Sequence, residues 1–470
     1  MTTVSESSTT VSDVTELAPP DLTYLHLDSK SRPMHWAMVL ELAPDGPPLS
    51  FAAVRTRVAE RIGLFEIFGL GIAGGRWRKP RVVVATDVDV DAHVTDATYD
   101  GDLRRQIATL LETPLARPGP LWHITLFSPS GEGAQFVLLR VHHAVSDGIA
   151  GAAFAALLAD GTPEDLAEFE RFATSPRFRT PEVDAEILKE SKAAFTEQWN
   201  AGRKGRGWPA LTKTGRREIA LFGASTRDLR RAAKRNGATV HEFLLAAIGR
   251  AVSLTPPTTG AGPEVIRVTL PVTNDPAFRH TGNAVVVSPL NLLGNETDLA
   301  RQIERCHTEL TTIEQRRPEL TSAAHEVKLP WAAQRAIASA AMAHMSPDIH
   351  IGINPGFSRV RSVLGKRIEQ LTPLSPLAGY SFSVTALILG TTTSFGIVAD
   401  PAAVPDGYTD VFVESFGRVL REAGEAGRRG VFTADASFHL VEVSLRDLPE
   451  MLEAVCGYYK RRFNVDTITP

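Results

Sequence analysis

Two adjacent histidines followed by an Asp-Gly pair form the short motif of this chain that could do acid–base chemistry. The motif reads HHAVSDG, from His142 to Gly148. A hydrophobic run ends at its start and a run of small residues follows it, which predicts a loop between a strand and a helix. A neutral imidazole accepts a proton near pH 7, as a general base must. The motif therefore predicts a proton-transfer site.

The two histidines are expected to play different parts. Successive strand residues point to opposite faces, so His142 and His143 should not enter the same cavity. One imidazole would do the chemistry, and the other would pack against it or support it. Asp147 is expected to orient the loop by pairing with an arginine, and Gly148 to let the backbone turn into the helix.

Other interpretations of these residues remain open at this point. Two buried structural histidines followed by an ordinary Asp-Gly turn would have the same sequence. Zinc is disfavoured, because adjacent histidines diverge and no nearby Cys or i,i+4 His completes a tetrahedral set. Ser146 lacks the GxSxG context of a hydrolase nucleophile, and the chain has neither a GxxxxGKS loop nor a CxxC pair. We predict no metal.

Length and composition restrict the class of protein. The 470 residues, 43% of them hydrophobic, suffice for two domains with separate cores. The formal charge of −4, from 50 Lys and Arg and 54 Asp and Glu, argues against a nucleic-acid partner. Cys306 and Cys456 cannot form a disulfide framework, which favours a reducing compartment. Without a signal-peptide pattern or about 18 consecutive apolar residues, we expect a cytoplasmic protein.

Helical and strand patterns alternate along the chain, which predicts an α/β (α+β) fold of two sandwich-like domains. The Ser- and Thr-rich residues 1–18 are expected to form a mobile tail, followed by an N-terminal domain over 19–160. The polar, proline-containing stretch 161–217 predicts an interdomain connection with one helix, and residues 218–470 a second domain.

The motif is expected to lie at the end of a β-hairpin. Trp122–Phe127 and Gln135–Val141 are β-like runs on either side of the turn-rich SPSGEG. The residues after the motif, IAGAAFAALLA, predict a helix over 149–159. In the second half, Asp298–Glu314 has the apolar periodicity of an amphipathic helix.

At this point the chain resembles a known family. HHAVSDG is similar to the HHxxxDG motif of the CoA-dependent acyltransferase superfamily, which includes chloramphenicol acetyltransferase and peptide condensation domains. The chain more closely resembles the bacterial wax ester synthase/diacylglycerol acyltransferases, from about Leu22 to about Gly424. The segments that carry this resemblance are LTYLHLDSKSRPMH, DVDAHV, PLW, HHAVSDGIAG, LPV, Gly282-Asn283 and ADPAAVPD.

The resemblance implies two chloramphenicol-acetyltransferase-like domains with a channel between them. His143 would take the proton from an acceptor alcohol, whose oxygen attacks the thioester carbonyl of a long-chain acyl-CoA. A fatty alcohol would give a wax ester, and a diacylglycerol would give triacylglycerol. CoA enters as part of a substrate, so the resemblance implies no cofactor. Contact with a membrane or lipid droplet would be peripheral.

The resemblance also assigns roles to individual residues. His142 would support His143, and Gly148 would shape the loop. Asp147 would hold the loop through an ion pair with Arg267 or Arg279. The residues expected along the substrate channel are Pro120, Leu121, Trp122, Gly282 and Asn283.

Several departures from the family pattern leave the substrates open. His241-Glu242 stands where the family has Asn-Asp, LPVTNDP lacks an expected arginine, and INPGF replaces an NVPGP-like loop. One alternative is a same-fold acyltransferase for a specialised metabolite or glycolipid, with a carrier-protein thioester as a further donor. Another is a catalytically silent lipid-binding protein, which the intact HHxxxDG motif disfavours.

A basic run in the second half has two interpretations. Its members are Arg227, Arg230, Arg231, Lys234 and Arg235. They could attract CoA phosphates or anionic headgroups, or they could form a solvated helix face, which is favoured.

Overall fold

The structure of the chain is a computed structural model. It describes residues 17–75, 79–161, 163–177, 183–202, 207–258, 262–273, 280–323, 329–354 and 362–425. Residues 1–16 of the predicted tail, Arg279 and Cys456 lie outside these ranges.

Helices are distributed over both halves of the described chain. Their bounds are α1 Pro19–Leu27, α2 Phe51–Arg61, α3 Val90–His93, α4 Leu103–Glu112, α5 Ala152–Ala155, α6 Pro163–Thr174, α7 Ala185–Ala201, α8 Thr226–Arg235, α9 Val240–Leu254, α10 Leu299–Arg316, α11 Leu320–Ala323, α12 Trp331–Met345 and α13 Tyr408–Glu425.

Strands alternate with these helices along the sequence. Their bounds are β1 His35–Leu42, β2 Leu70–Ala73, β3 Arg81–Val84, β4 Val94–Tyr99, β5 Trp122–Pro129, β6 Phe136–His142, β7 Glu218–Ser225, β8 Val265–Thr273, β9 Val285–Leu293, β10 Ile349–Asn354, β11 Ser362–Val363, β12 Lys366–Leu374, β13 Phe382–Leu389 and β14 Thr392–Ala399.

Two six-stranded sheets organise the fold, which confirms the predicted α/β class. The N-terminal sheet has the order β11-β12-β1-β6-β5-β4, and the C-terminal sheet has the order β7-β14-β13-β10-β8-β9. Strand β12 lies late in the chain yet pairs antiparallel with β1, with Ala37 opposite Leu374. The C-terminal part of the chain thus supplies two strands to the N-terminal sheet.

Each sheet has a hydrophobic core of its own. Trp122 and Phe154 are buried in the N-terminal core, and Phe382 and Phe412 in the C-terminal core. Fully burying a side chain of this size contributes about 1.5–3 kcal/mol. In β1, HWAMVLEL, seven of eight residues are buried, as expected for a central strand covered on both faces.

The hairpin predicted before the motif is present. Strands β5 and β6 pair antiparallel, with Trp122 opposite Val141. On its other side β6 pairs with β1, so that His35 lies opposite His142. The HHxxxDG loop therefore begins at the end of a central strand, whose hydrogen bonds on both sides position it.

The helix predicted directly after the motif is much shorter than expected. Only Ala152–Ala155 is α-helical, and neighbouring backbone groups form i→i+3 bonds, as from Ala153 N to Ala150 O. Packing explains the small residues here, because a Cβ at Gly151 would lie 2.6 Å from the Trp36 ring. Close approach to Trp36 has outweighed the helix propensity of alanine.

We also compared the helices with the span of a bilayer. Within the described residues, no helix is both long enough and apolar enough to cross a membrane.

Candidate active site

His143 stands at the centre of the HHxxxDG loop. Its backbone N donates to Met34 O at 2.7 Å, which ties the loop to the segment before β1. The ring of Tyr24, from α1, stacks on the imidazole with centroids 3.7 Å apart and an interplanar angle of 10°. The ring orientation is therefore set by packing as well as by hydrogen bonds.

Asn283, just before β9, fixes the tautomer of His143. Its Oδ1 lies 2.9 Å from His143 Nδ1. Its Nδ2 donates to His143 O at 2.6 Å and to Asp21 Oδ1 at 2.8 Å, so the amide oxygen must face the imidazole. Nδ1 then carries the hydrogen, and the Nε2 lone pair of the neutral ring is available to accept a proton.

A buried ion pair supports Asn283 in turn. Asp21 is fully buried and accepts from Asn283 N at 3.1 Å and from Arg177 Nε at 3.1 Å. Arg177 Nη2 donates to Ala144 O at 2.7 Å and to Val145 O at 3.0 Å. This network connects α1, the HHxxxDG loop and the segment before β9 through charge-assisted hydrogen bonds.

Burial keeps the His143 imidazole neutral. It lowers the pKa of His143 from 6.5 to about 4, while Asp147 and the Asn283 hydrogen bond act in the opposite direction. At neutral pH the ring is thus in the form that accepts a proton.

Asp147 is bonded on both carboxylate oxygens. Oδ1 accepts from the backbone N of Ile149 and Ala150, at 3.0 and 2.8 Å. Oδ2 accepts from the backbone N of Ala284 and Val285, both at 3.0 Å. Asp147 therefore pins the loop to the start of β9.

The side-chain partner of Asp147 is a histidine. His280 Nε2 lies 2.9 Å from Asp147 Oδ2, and both side chains are 2% exposed. Burial raises the pKa of Asp147, but His280 and the backbone N–H groups outweigh it and lower the pKa to about 2. The predicted pairing with Arg267 is wrong: that buried guanidinium pairs with Asp348 at 3.0 Å. The other candidate, Arg279, lies outside the described residues.

His142 turns away from His143 and braces the loop. Its Nδ1 accepts from Ala144 N at 3.1 Å. Its Nε2 lies 3.4 Å from Arg117 Nη2 and 3.6 Å from Asp28 Oδ2. The two adjacent histidines thus face different partners, as strand geometry predicts.

The backbone at position 148 does not require glycine, contrary to the prediction. Gly148 is exposed, its φ is not positive, and a Cβ at this position would contact nothing within 4 Å. The backbone here is open to any residue type, because the loop is held by Asp147 instead.

The structure places all five residues predicted along the substrate channel at buried positions. Pro120, Leu121 and Trp122 are packed in the N-terminal half, with Trp122 Nε1 donating to Phe68 O at 2.7 Å. Gly282 O accepts from Asp147 N at 3.1 Å, and Asn283 contacts the catalytic loop directly. Leu121 O also accepts from His142 N at 2.9 Å, so Leu121, Gly282 and Asn283 are hydrogen-bonded to the loop. Pro120 and Trp122 are buried before and within β5.

Four site residues were missed by the sequence analysis: Asp21, Tyr24, Arg177 and His280. One signal was present, because Asp21 and Tyr24 are three residues apart and lie on the same face of α1. Nothing near Arg177 or His280 in the sequence indicates that they reach the loop.

A second histidine lies close to the site on the C-terminal sheet. His350 Nδ1 is 3.0 Å from Thr269 Oγ1, and its ring stacks on Tyr380 with centroids 5.1 Å apart. Burial, and to a smaller extent the charge on a protonated His143, lower the pKa of His350 to about 4.

The described parts of the chain lack a cluster of metal ligands. They contain no group of three or more His, Cys, Asp or Glu side chains placed to hold an ion.

Folding stability should fall when the pH is lowered from 7 to 5. Burial lowers the pKa of His123, His143 and His350 to about 4, so at pH 5 the unfolded chain binds more protons than the folded one. This stabilising contribution is complete above pH 6.5 and is lost as the pH falls towards 4. For buried His350 it amounts to as much as about 3 kcal/mol.

Urea titrations at pH 7 and pH 5 measure this loss. In His350→Gln, the difference in unfolding free energy between pH 7 and pH 5 should be smaller by the contribution of His350. Equal unfolding free energies at the two pH values would contradict the assignment of buried neutral histidines.

The fold that carries the HHxxxDG loop is similar to the folds of two solved proteins. A solved wax ester synthase/diacylglycerol acyltransferase from Marinobacter aquaeolei superposes with a TM-score of 0.62 at 18% identity, covering 87% of this chain and 99% of its own. The first condensation domain of the CDA synthetase gives 0.57 at 17% identity, covering 87% of this chain and 96% of its own. These likenesses establish the fold.

Sequence comparisons indicate an acyltransferase. Residues 17–201 match the wax ester synthase/diacylglycerol acyltransferase catalytic domain. A Mycobacterium tuberculosis protein named as a diacylglycerol O-acyltransferase is 24% identical over 453 residues, 85% of this chain and 89% of its own. Residues 17–201 are thus similar to that catalytic domain, and the protein is an acyltransferase. The predicted resemblance is confirmed, and the protein acts on an acyl donor and an acceptor.

Proposed function

We propose that the protein transfers a long-chain acyl group from acyl-CoA to a fatty alcohol or a diacylglycerol. The observation that best supports the proposal is the neutral His143 imidazole, whose Nδ1 is occupied by Asn283 and whose Nε2 is left to accept a proton. The names of the relatives, a wax ester synthase and a diacylglycerol O-acyltransferase, support the two acceptors.

The reaction follows from this tautomer. His143 Nε2 accepts the proton of the acceptor hydroxyl while the hydroxyl oxygen attacks the thioester carbon. The tetrahedral intermediate then breaks its C–S bond, and the imidazolium returns the proton to the CoA sulfur. General acid–base catalysis of this kind contributes about 10²–10⁴-fold, and holding both substrates together supplies much of the remaining acceleration.

Hydrogen bonding to Nδ1 also stabilises the imidazolium that forms during the reaction. Asn283 Oδ1 accepts from Nδ1–H in both the neutral and the protonated ring. Asp147 contributes a negative charge that favours the protonated ring. The site thus holds a neutral base at rest and still accommodates the positive charge of the intermediate state.

Product formation with defined substrates tests the proposal. The purified protein is incubated with palmitoyl-CoA and either hexadecanol, a diacylglycerol or no acceptor, and ester and free CoA are both quantified. We expect one ester for each CoA released, and only when an alcohol is present. Absence of acceptor-dependent ester with every alcohol would refute the lipid acceptors.

Asn283→Ala should lower kcat about 10–100-fold with a small change in KM. The variant leaves His143 Nδ1 without its acceptor, so the ring can rotate or change tautomer. Asn295→Ala, at an exposed position ten residues beyond the start of β9, serves as the control and should keep the wild-type kcat. If kcat of Asn283→Ala falls only in proportion to the folded fraction, as measured by thermal unfolding, the positioning role is wrong.

A more polar acceptor is a second candidate. Buried His350, on β10, lies near enough to His143 for a protonated His143 to lower its pKa, and its Nδ1 is 3.0 Å from Thr269 Oγ1 on β8. A purely hydrocarbon acceptor needs no such polar side chains. A glycolipid or a hydroxylated metabolite could use them as hydrogen-bond partners. Higher kcat/KM for such an acceptor than for hexadecanol, lost in His350→Gln, would favour this candidate.

A further inference from the structure

Three guanidinium groups converge on the C-terminal end of α1. Arg32 Nε donates to Leu27 O at 2.6 Å, and Arg335 Nη2, from α12, donates to Asp28 O at 3.4 Å. Arg117 Nη2 donates to the Asp28 carboxylate at 2.7 Å. We refer to Arg32, Arg117 and Arg335 as the arginine cluster.

The arginine cluster carries more positive charge than its surroundings balance. Within the described ranges, Asp28 is the carboxylate that pairs with the cluster, and it pairs with Arg117. Burial lowers the pKa of Arg32, and the charge of Arg335 lowers it too, although Asp28 opposes both. The positive charges of Arg32 and Arg335 are thus held near each other. Asp28 is one carboxylate for three guanidinium groups, and it pairs with Arg117.

Neighbouring groups do not remove this excess. Burial and Arg335 together lower the pKa of His26 to about 4, so its ring adds no charge at pH 7. Arg217 is also near enough for Arg32 to lower its pKa, although burial is the larger cause. A cluster of this kind costs folding energy unless an anion binds to it.

The arginine cluster lies beside the catalytic loop. Arg117 Nη2 is 3.4 Å from His142 Nε2. Arg32 belongs to the segment between α1 and β1, whose Met34 O accepts from His143 N. Helix α1 itself carries Tyr24, which stacks on His143. An anion at the cluster would therefore lie beside His142, on the side of the loop that faces away from His143.

We propose that the arginine cluster binds the phosphate groups of the acyl donor. This inference depends on the proposed thioester donor, and it adds the site where that donor is held. The pantetheine arm separates the thioester from the phosphates, which fits a cluster beside the loop rather than in it. Guanidinium groups form two parallel hydrogen bonds with phosphate oxygens, and phosphate supplies the missing negative charge.

The basic run on α8 is less suited to this task. Arg231 pairs with Asp228 at 3.5 Å, both about half exposed, and Arg235 donates to Gly424 O. Arg227 is exposed on the same helix. These residues form the solvated face that the sequence favours, and Arg227 offers a matched control.

The test compares donors with and without phosphates in Arg32→Gln, Arg335→Gln and the double variant. With palmitoyl-CoA we expect KM to rise roughly tenfold in each single variant and further in the double variant, at unchanged kcat. With the palmitoyl thioester of N-acetylcysteamine, which has no phosphate, KM should stay at its wild-type value. Arg335→Gln guards against misfolding, because the contact of Arg335 with Asp28 O is long, at 3.4 Å.

Palmitoyl-dephospho-CoA distinguishes the source of the anion. If the cluster binds the 3′-phosphate, wild type should already show the raised KM with this donor. If it binds the diphosphate, or the phosphate of a carrier-protein arm, wild type should treat both CoA donors alike. Either result supports the proposal, since the variants lose affinity only for phosphate-bearing donors.

Other outcomes overturn the inference. They are an unchanged KM for palmitoyl-CoA in the double variant, an equal rise with the N-acetylcysteamine thioester, and the same rise in Arg227→Gln. Calorimetric binding of CoA to wild type and the double variant gives a readout independent of turnover. If no acyl transfer occurs at all, the proposed function fails. In that case the cluster proposal is tested by calorimetry, and it fails if CoA binds wild type and the double variant equally.

Discussion

His143→Ala is expected to lower kcat for acyl transfer by about 10²–10⁴-fold, the contribution of a positioned general base. The substitution removes Nε2, which is the atom we assign to the acceptor proton, while Asn283 Nδ2 can still donate to the backbone O of residue 143. Rates of ester formation from palmitoyl-CoA and hexadecanol measure the effect. KM for either substrate should change much less than kcat.

His307→Ala is the matched control for this variant. The side chain is 71% exposed on α10 and pairs with Glu242 at 2.8 Å. Its removal should leave kcat within about twofold of wild type, because exposed pairs contribute little. If His143→Ala keeps the wild-type kcat, another group must accept the proton, and the general-base role is wrong.

Asp147→Asn is expected to destabilise the folded protein by about 3–5 kcal/mol, the cost of breaking a buried charged network. The carboxylate accepts four backbone N–H groups and faces His280, and an amide would turn its own NH₂ group towards some of these donors. The substitution also frees the loop that carries His143. Urea unfolding at pH 7 measures the free-energy loss.

Asp410→Asn supplies the comparison for Asp147→Asn. Asp410 pairs with Arg104 on the surface, where its side chain is 59% exposed. Exposed ion pairs of this kind contribute about 0–1 kcal/mol. Equal losses in the two variants would show that Asp147 has no special structural role.

The position of the catalytic loop could be predicted from the sequence. The apolar runs of β5 and β6 and the turn-rich residues between them are local signals, and the hairpin they predict ends at the motif. The divergence of His142 and His143 follows from the alternation of strand side chains. The amphipathic helix predicted over Asp298–Glu314 is present as α10.

The partner of Asp147 could not be predicted, because it depends on long-range packing. His280 and Asp147 are 133 residues apart, and no local pattern connects them. An arginine was the reasonable expectation for a buried aspartate. Arg267 is buried as expected of an ion-paired residue, but its position on β8 directs it to Asp348 before β10.

The exchange of β12 between the sheets is a second long-range feature. Its sequence, KRIEQLTPL, has little alternation to mark a strand, and it pairs with β1 from the opposite end of the chain. The pairing of strands so far apart in the chain is not encoded by any local sequence pattern near β12. A division of the chain by composition alone therefore assigns Lys366–Leu374 to the second domain, although it completes the first sheet.

The support around His143 was partly visible in the sequence. Gly282-Asn283 belongs to the segments that resemble the family, but its contact with the imidazole depends on the fold. Asp21 sits in the first turn of α1, where a carboxylate is ordinarily explained by the helix dipole. Only the folded chain shows that it holds Asn283.

The dependence of kcat/KM on pH tests the central claim most directly, since it reports the protonation of the free enzyme's base. Burial lowers the pKa of His143 to about 4, and the base is active when deprotonated, so activity is lost only as the pH falls through that value. Initial rates after a jump from pH 7 should stay level between pH 8 and about 5. A fall in kcat/KM centred near pH 6.5, the pKa of an exposed imidazole, would contradict the account.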